Sequence, residues 1–269
     1  MVDAAFAHGR PAFIPYVMAG DPDVETTASI VDALRDAGAA SIELGIPYGD
    51  PLADGPTIAA AGRRALAGGT RMRDVFELAK SARAGGAPPI VLFTYLNPVL
   101  QYGVERFAAD AQSSGAAGVI VPDAALEETG ELREAFGRRG LAMPLLVAPS
   151  TPRERAARIA EAATGFVYVV SRLGVTGAAN VPNFAPVRAQ VAMLREVTSK
   201  PLAVGFGVST SDHVREVAPV ADGIIVGSAL IDAYALKEKR GMDAAEAVGA
   251  LARTLVAAMG RESAVDSTG

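Results

Sequence analysis

Apolar runs punctuate the chain at residues 12–18 (AFIPYVM), 41–46 (SIELGI), 89–95 (PIVLFTY), 118–123 (GVIVPD), 143–149 (MPLLVAP), 166–170 (FVYVV), 201–207 (PLAVGFG) and 222–227 (DGIIVG). Most are continuous rather than strictly alternating, the pattern of strands buried on both faces of a parallel sheet. Helical periodicity lies between them. In VETTASIVDALRDAG, Ile30 and Leu34 fall on one face and Gly38 supplies a stop. EETGELREAFGRRG and RERAARIAEAATG also end on glycine. Thr151 before Pro152 predicts an N-cap followed by proline at the first helical position. The stretch TIAAAGRRALAGGTRMRDVFELAKSARAGG has room for two helices between the second and third strands. DAAEAVGALARTLVAAM reads as an amphipathic closing helix, and GRESAVDSTG as a polar tail expected to fray.

Eight strands alternating with helices leave two architectures, an open doubly wound sheet and a closed barrel. Strand count and a length of 269 residues favour the barrel. The expected fold class is therefore α/β, a single-domain (β/α)8 TIM barrel with extra helices. With no linker or break in composition, one domain is expected over residues 1–269, about 260–269 being the tail.

Composition narrows the partners. Half of the residues are hydrophobic, enough for a full core. The net charge is -5 and no basic block is present, which argues against nucleic acid while leaving room for a small phosphate held by backbone dipoles. The absence of cysteine excludes disulfides and thiolate metal sites and is compatible with a cytoplasmic enzyme. The opening MVDAAFAHGR has no basic-then-apolar leader, so no signal peptide is expected. No apolar stretch approaches the ~18 residues of a membrane span.

Candidate chemistry gathers at strand ends. GFGVST places Gly207 after the seventh strand, and VGSALI places Gly227 and Ser228 after the eighth. Glycine admits close backbone approach, helix N-termini attract anions, and these two loops of a barrel frequently form a phosphate site. Glu43 sits inside an apolar strand, where desolvation raises a carboxyl pKa and suits it to acid/base work. A structural alternative is a buried Glu paired with Arg or Lys. The following loop, PYGDPLADGP, carries Asp50 and Asp54, either of which could be a second carboxylate with a different pKa. Asp beside Gly and Pro also simply makes turns. His8 and His213 lack ligand-spaced partners, so no metal site or Ser-His-Asp triad is expected, and no P-loop motif exists. Tyr168 lies among apolar residues of the sixth strand, and its hydroxyl needs a partner if buried. SRLGVTGAANVPNF, after that strand, has the length and composition of a lid.

IELGIPYGDPLADGPTI resembles the signature of the tryptophan synthase alpha subunit family. FIPYVMAGDP, YLNPV, VYVVSRLGVTG, GFGVS and VGSALI follow in the family's order, nearly end to end. The resemblance implies a (β/α)8 barrel that cleaves indole-3-glycerol phosphate by a retro-aldol reaction to indole and glyceraldehyde 3-phosphate. It implies Glu43 as the acid/base and Asp54 as the carboxylate that stabilises charge on the ring nitrogen. Tyr168 matches the tyrosine beside the acid/base, Thr176 a lid threonine that orders the aspartate loop, and Phe206 a wall of the indole pocket. Gly177, Gly207, Gly227 and Ser228 match the phosphate cradle, and Asp50 the region that meets the beta subunit. The implied assembly is an alpha-beta-beta-alpha heterotetramer. No metal or cofactor is expected in this chain; pyridoxal phosphate is expected only in the beta subunit.

The sequence departs from the family pattern at Met18, at Tyr48-Gly49 and at Ala125. The first two bear on pocket shape and loop mobility, the third on the partner contact. Three other readings compete. A free-standing indole-3-glycerol-phosphate lyase needs no partner. Another phosphate-binding barrel, such as a sugar-phosphate isomerase or an indole-glycerol-phosphate synthase, needs different acids and usually catalytic lysines, and Lys200 precedes its strand at the wrong end. A non-catalytic regulatory barrel predicts binding without turnover.

Overall fold

The computed structural model describes residues 2–7, 11–171, 184–235 and 243–260. Eight parallel strands occupy the expected runs: β1 (Ala12–Met18), β2 (Ile42–Gly45), β3 (Ile90–Phe93), β4 (Gly118–Ile120), β5 (Leu145–Val147), β6 (Val167–Val170), β7 (Leu202–Gly205) and β8 (Gly223–Val226). They follow one another round the sheet, with β1 paired to both β2 and β8. Between β4 and β5 the wall is closed only by a bridge from Gly118 to Ala142, so the barrel is nearly rather than fully continuous. β1 fills its whole apolar run and β6 ends where its run ends, while in the other six the last residues of the run leave the ladder and turn into the loops above it.

Eleven α-helices and two short 3-10 helices are present among the described residues. The wall helix α1 (Val24–Asp36) starts where the Asp23 carboxylate accepts the Thr26 N–H at 2.6 Å. It buries Ile30, Val31 and Leu34, each contributing about 1.5–3 kcal/mol. It packs on the last helix, α11 (Ala244–Met259), which brings the end of the described chain back to its start. Two helices, α2 (Pro56–Ala67) and α3 (Met72–Ala84), fill the space between β2 and β3 as the sequence predicts. The cap expected at Thr151 is not made. Pro152 itself is the N-cap of α7 (Arg153–Ala162), and Thr151 Oγ1 instead accepts the Ala148 N–H at 3.0 Å. The hydroxyl closes the β5 loop, leaving nothing for the helix.

The lumen is layered. At the N-terminal end of the strands, a Cβ on Gly223 would meet the Phe6 ring at 2.9 Å and Ile14 and Ala203 at 3.2 Å, and Phe6 lies 5.6 Å from Phe166. This end is plugged by apolar side chains. Lys200, just below β7, donates to the carbonyls of Ala160, Glu161 and Ala163 at 2.6–2.8 Å, so it caps the end of α7 and faces no site.

Candidate active site

Glu43 is the second residue of β2, in register with Tyr16 on β1 and Val91 on β3. It is 1% exposed and its Oε1 has no hydrogen-bond partner among the described residues. Among the described residues no basic group pairs with it, so the structural alternative of a buried ion pair finds no partner there. Burial alone pushes the carboxyl up to about 8. At neutral pH this group is mostly a neutral acid that can give and retake a proton.

Asp54 closes the loop after β2. Its N–H returns to Pro51 O at 3.1 Å, and Gly55 and Pro56 then begin α2, so the carboxylate stands at the positive end of a helix. It is 8% exposed, and burial raises it to about 6 against a lowering contribution from the nearby Tyr95 hydroxyl. That hydroxyl falls short of full hydrogen-bond geometry, and Asp54 in turn holds the phenol well above its ordinary value, after burial. Two carboxyls thus share one mouth with their affinities for a proton set apart, and at neutral pH one is mainly acid and the other mainly anion. Of the two competing loop acids, Asp54 is the buried one. Asp50 is exposed on the outer side of the loop, beside Leu52, which is 75% exposed.

The opposite wall is aromatic and glycine-lined. Tyr168 on β6 is buried, and both burial and the charge of Glu43 raise its phenol well above the usual value. A Cβ on Gly205 would lie 2.4 Å from the Tyr168 hydroxyl, so glycine is what makes room for that ring. Phe206 follows with φ 67°, a left-handed conformation that costs a non-glycine residue of order 1–3 kcal/mol and marks functional loops. The strained backbone sets its ring edge-on to Tyr168, centroids 5.6 Å apart. Gly207 continues with φ 102°. On the next strand, Gly227 packs its Cα side against the Tyr16 ring, 3.3 Å from where a Cβ would be, and Ser228 begins α10 (Ser228–Ala235). The Leu230 and Ile231 N–H groups of that first turn return to Gly227 O at 2.9 and 3.2 Å, which leaves those of Ser228 and Ala229 as the N-terminal donors outside the helix ladder. Thr176 and Gly177 lie outside the described residues.

Four of the five buried side-chain polar atoms that lack a partner among the described residues mark the same end, the fifth being Gln190 Oε1 on a wall helix. Glu43 Oε1, Thr94 Oγ1, the Tyr95 hydroxyl and Ser171 Oγ all lie within or just beyond the strands at their C-terminal rim. Each costs about 1–3 kcal/mol if left dry, so together they describe a surface made for a polar ligand. Two of the site's residues are absent from the sequence reading. Tyr16 and Tyr95 sit in runs that read as plain buried strand. The signal was available for Tyr16, since two-residue alternation puts it on the face shared by Met18 and the lumen. Among the described residues, no cluster of three or more metal-ligating side chains occurs.

The chain matches the family described as tryptophan synthase alpha chain over residues 2–259. Curated relatives include the tryptophan synthase alpha chain of Prochlorococcus marinus (strain MIT 9313), 51% identical over 226 residues that cover 84% of this chain and 82% of that one. The Arabidopsis thaliana protein of the same name is 46% identical, covering 84% and 82%. Among solved structures, a Mycobacterium tuberculosis tryptophan synthase chain superposes with a TM-score of 0.87 at 38% identity over 97% of each chain. The tryptophan synthase alpha chain of Legionella pneumophila subsp. pneumophila superposes with a TM-score of 0.86 at 34% identity over 96% of each.

Proposed function

The chain belongs to the tryptophan synthase alpha chain family, lyases that cleave indole-3-glycerol phosphate to indole and glyceraldehyde 3-phosphate, and from that membership we propose which of its residues do the chemistry. Glu43, in its acid form, protonates carbon 3 of the indole. The carboxylate so formed removes the proton of the hydroxyl on the adjoining side-chain carbon. The oxygen electron pair becomes the aldehyde C=O, the carbon–carbon bond breaks, and its electrons return to the ring to regenerate neutral indole. Between those steps the ring nitrogen is cationic, and Asp54 as a carboxylate stabilises it. Tyr168 and Phe206 wall the indole. Gly207, Gly227 and Ser228, joined by Gly177, grip the phosphate, whose binding energy holds the reacting carbons against Glu43. Thr176 orders the Asp54 loop from the lid.

One observation supports this reading above the rest: a fully buried carboxyl that has, among the described residues, an unpaired oxygen and no basic neighbour, held at about 8 by desolvation, at the ligand end of the barrel. Such a group is costly to keep and useful only if it moves a proton.

A beta-subunit partner follows from family membership. On our reading it docks on the face carrying Asp50 and exposed Leu52, in an alpha-beta-beta-alpha heterotetramer in the cytoplasm, and holds the pyridoxal phosphate that this chain does not use. No described helix is long and apolar enough to cross a membrane. The chain acts as one domain throughout. The test is to give purified chain indole-3-glycerol phosphate, with and without the beta subunit, and follow indole. Slow release that rises sharply with the partner is expected. Equal rates identify a free-standing lyase, and no indole in either arm a regulatory barrel.

A further inference from the structure

Tyr16 stands on the strand next to Glu43, in register with it, and the two side chains face the same lumen. It is 4% exposed, and its ring is fixed on every side. Phe93 meets it edge-on at 5.4 Å, Gly227 lies under its base, and Gly45, two residues beyond Glu43, lies under its hydroxyl. A Cβ at Gly45 would come within 2.2 Å of that hydroxyl, so the strand gives up a side chain there for the phenol to lie against β2. Yet the hydroxyl so carefully housed has only the Met18 thioether as an acceptor among the described residues, at 4.0 Å. Sulfur is a weak acceptor, and that distance is at the limit of any hydrogen bond. A strong donor without a strong acceptor thus shares the lumen with an acceptor, Glu43 Oε1, that has no donor among the described residues, and the charge of Glu43 bears on the phenol. Among the described residues, the other titratable groups around the pair are Asp54 ahead of α2, Tyr95 after β3, Tyr168 on β6 and Tyr234 on α10. None of them is basic.

We propose that Tyr16 is a positioning residue for Glu43: when Glu43 gives up its proton, its carboxylate swings to the Tyr16 hydroxyl, which leaves the Met18 thioether and donates to Oε1, holding the carboxylate toward the substrate hydroxyl it must deprotonate. The proposal rests on the reading of Glu43 as the acid/base. It also gives Met18 a use. A thioether releases the phenol easily, where an oxygen acceptor in its place would compete with Glu43.

The test is Tyr16→Phe, which keeps the ring and removes the donor. The Glu43 carboxyl is titrated by infrared difference spectroscopy, its band identified by its loss in Glu43→Gln. Because the lost hydrogen bond favours the charged form, the titration midpoint should rise by about one pH unit, a tenfold gain in proton affinity or about 1.4 kcal/mol. The limb of the kcat/KM profile that follows Glu43 should move up with it, with KM nearly unchanged. An unmoved midpoint overturns the proposal. Met18→Leu separates hydroxyl from packing: its midpoint should stay or fall, and a rise matching Tyr16→Phe overturns the proposal too. Wild-type protein that shows the carboxyl band but releases no indole contradicts the proposed chemistry instead, so the two failures are distinguishable.

Discussion

Replacing Glu43 by Gln should change how stability depends on pH. The carboxyl titrates near 8 in the fold and near 4.5 when free. A raised folded value means that the native state binds the proton more tightly than the unfolded chain. The associated stability is complete below about 4.5, declines as pH rises and is gone once pH passes about 8. The gap between those two values corresponds to a ceiling of about 5 kcal/mol. Glu43 is 1% exposed, so solvent screens little of it, but relaxation around the buried charge reduces it, and a change of at least about 2 kcal/mol is expected. The glutamine carries no titration. Its buried amide adds an offset of about 1–3 kcal/mol that does not vary with pH. Urea unfolding at a series of pH values between about 5 and 9 gives both curves. Asp54, also raised, bends wild type and variant alike and cancels in the difference. The variant should gain on wild type steadily up to about pH 8 and then level off. Parallel curves would show that Glu43 titrates normally in the fold and refute the desolvation argument.

Other substitutions test other parts of the site. Asp54→Asn should lower kcat for indole release by about 100-fold or more with KM changed only a few-fold, since it stabilises charge that exists only after protonation of the ring; a rise in KM alone would make Asp54 a binding residue. Gly205→Ala forces a methyl to within 2.4 Å of the Tyr168 hydroxyl and should cost about 1–3 kcal/mol in urea unfolding, with a slower turnover as the ring shifts. Arg64→Met should destabilise by about 3 kcal/mol, because it leaves the carboxylate of Asp21, 0% exposed, with Tyr234 but without its two guanidinium bonds of 2.7 and 2.8 Å; Arg64 is itself 43% exposed, which places the loss at the low end for buried pairs.

The barrel was legible because its strands are buried on both faces. Apolar runs such as those holding Val91 and Val167 point to a buried parallel sheet, and all eight were found, though only β1 keeps both ends of its run. Strand ends such as Thr94 and Phe206 are apolar or β-prone yet serve loops, so composition cannot mark where the ladder stops. Glu43 was legible as an anomaly, one acid in a strand. Choosing between Asp50 and Asp54 by residue type was impossible, because both stand among turn formers, and only burial separates them. Thr151 misled for a related reason: a hydroxyl before a helix has two backbone amides to choose from, and the loop amide of Ala148 won. Alternation could have put Tyr16 on the lumen face, but its pairing with Glu43 depends on register with β2 and on space left by Gly45, neither visible in its own strand.

Single-turnover cleavage by Glu43→Gln, with glyceraldehyde 3-phosphate affinity measured on the same preparation, bears most directly on a buried acid opposite a phosphate grip. Indole release should vanish while the phosphate product binds as tightly as to wild type. Indole appearing at the wild-type rate would mean that the proton travels by another group, and that Glu43 is buried for some other reason.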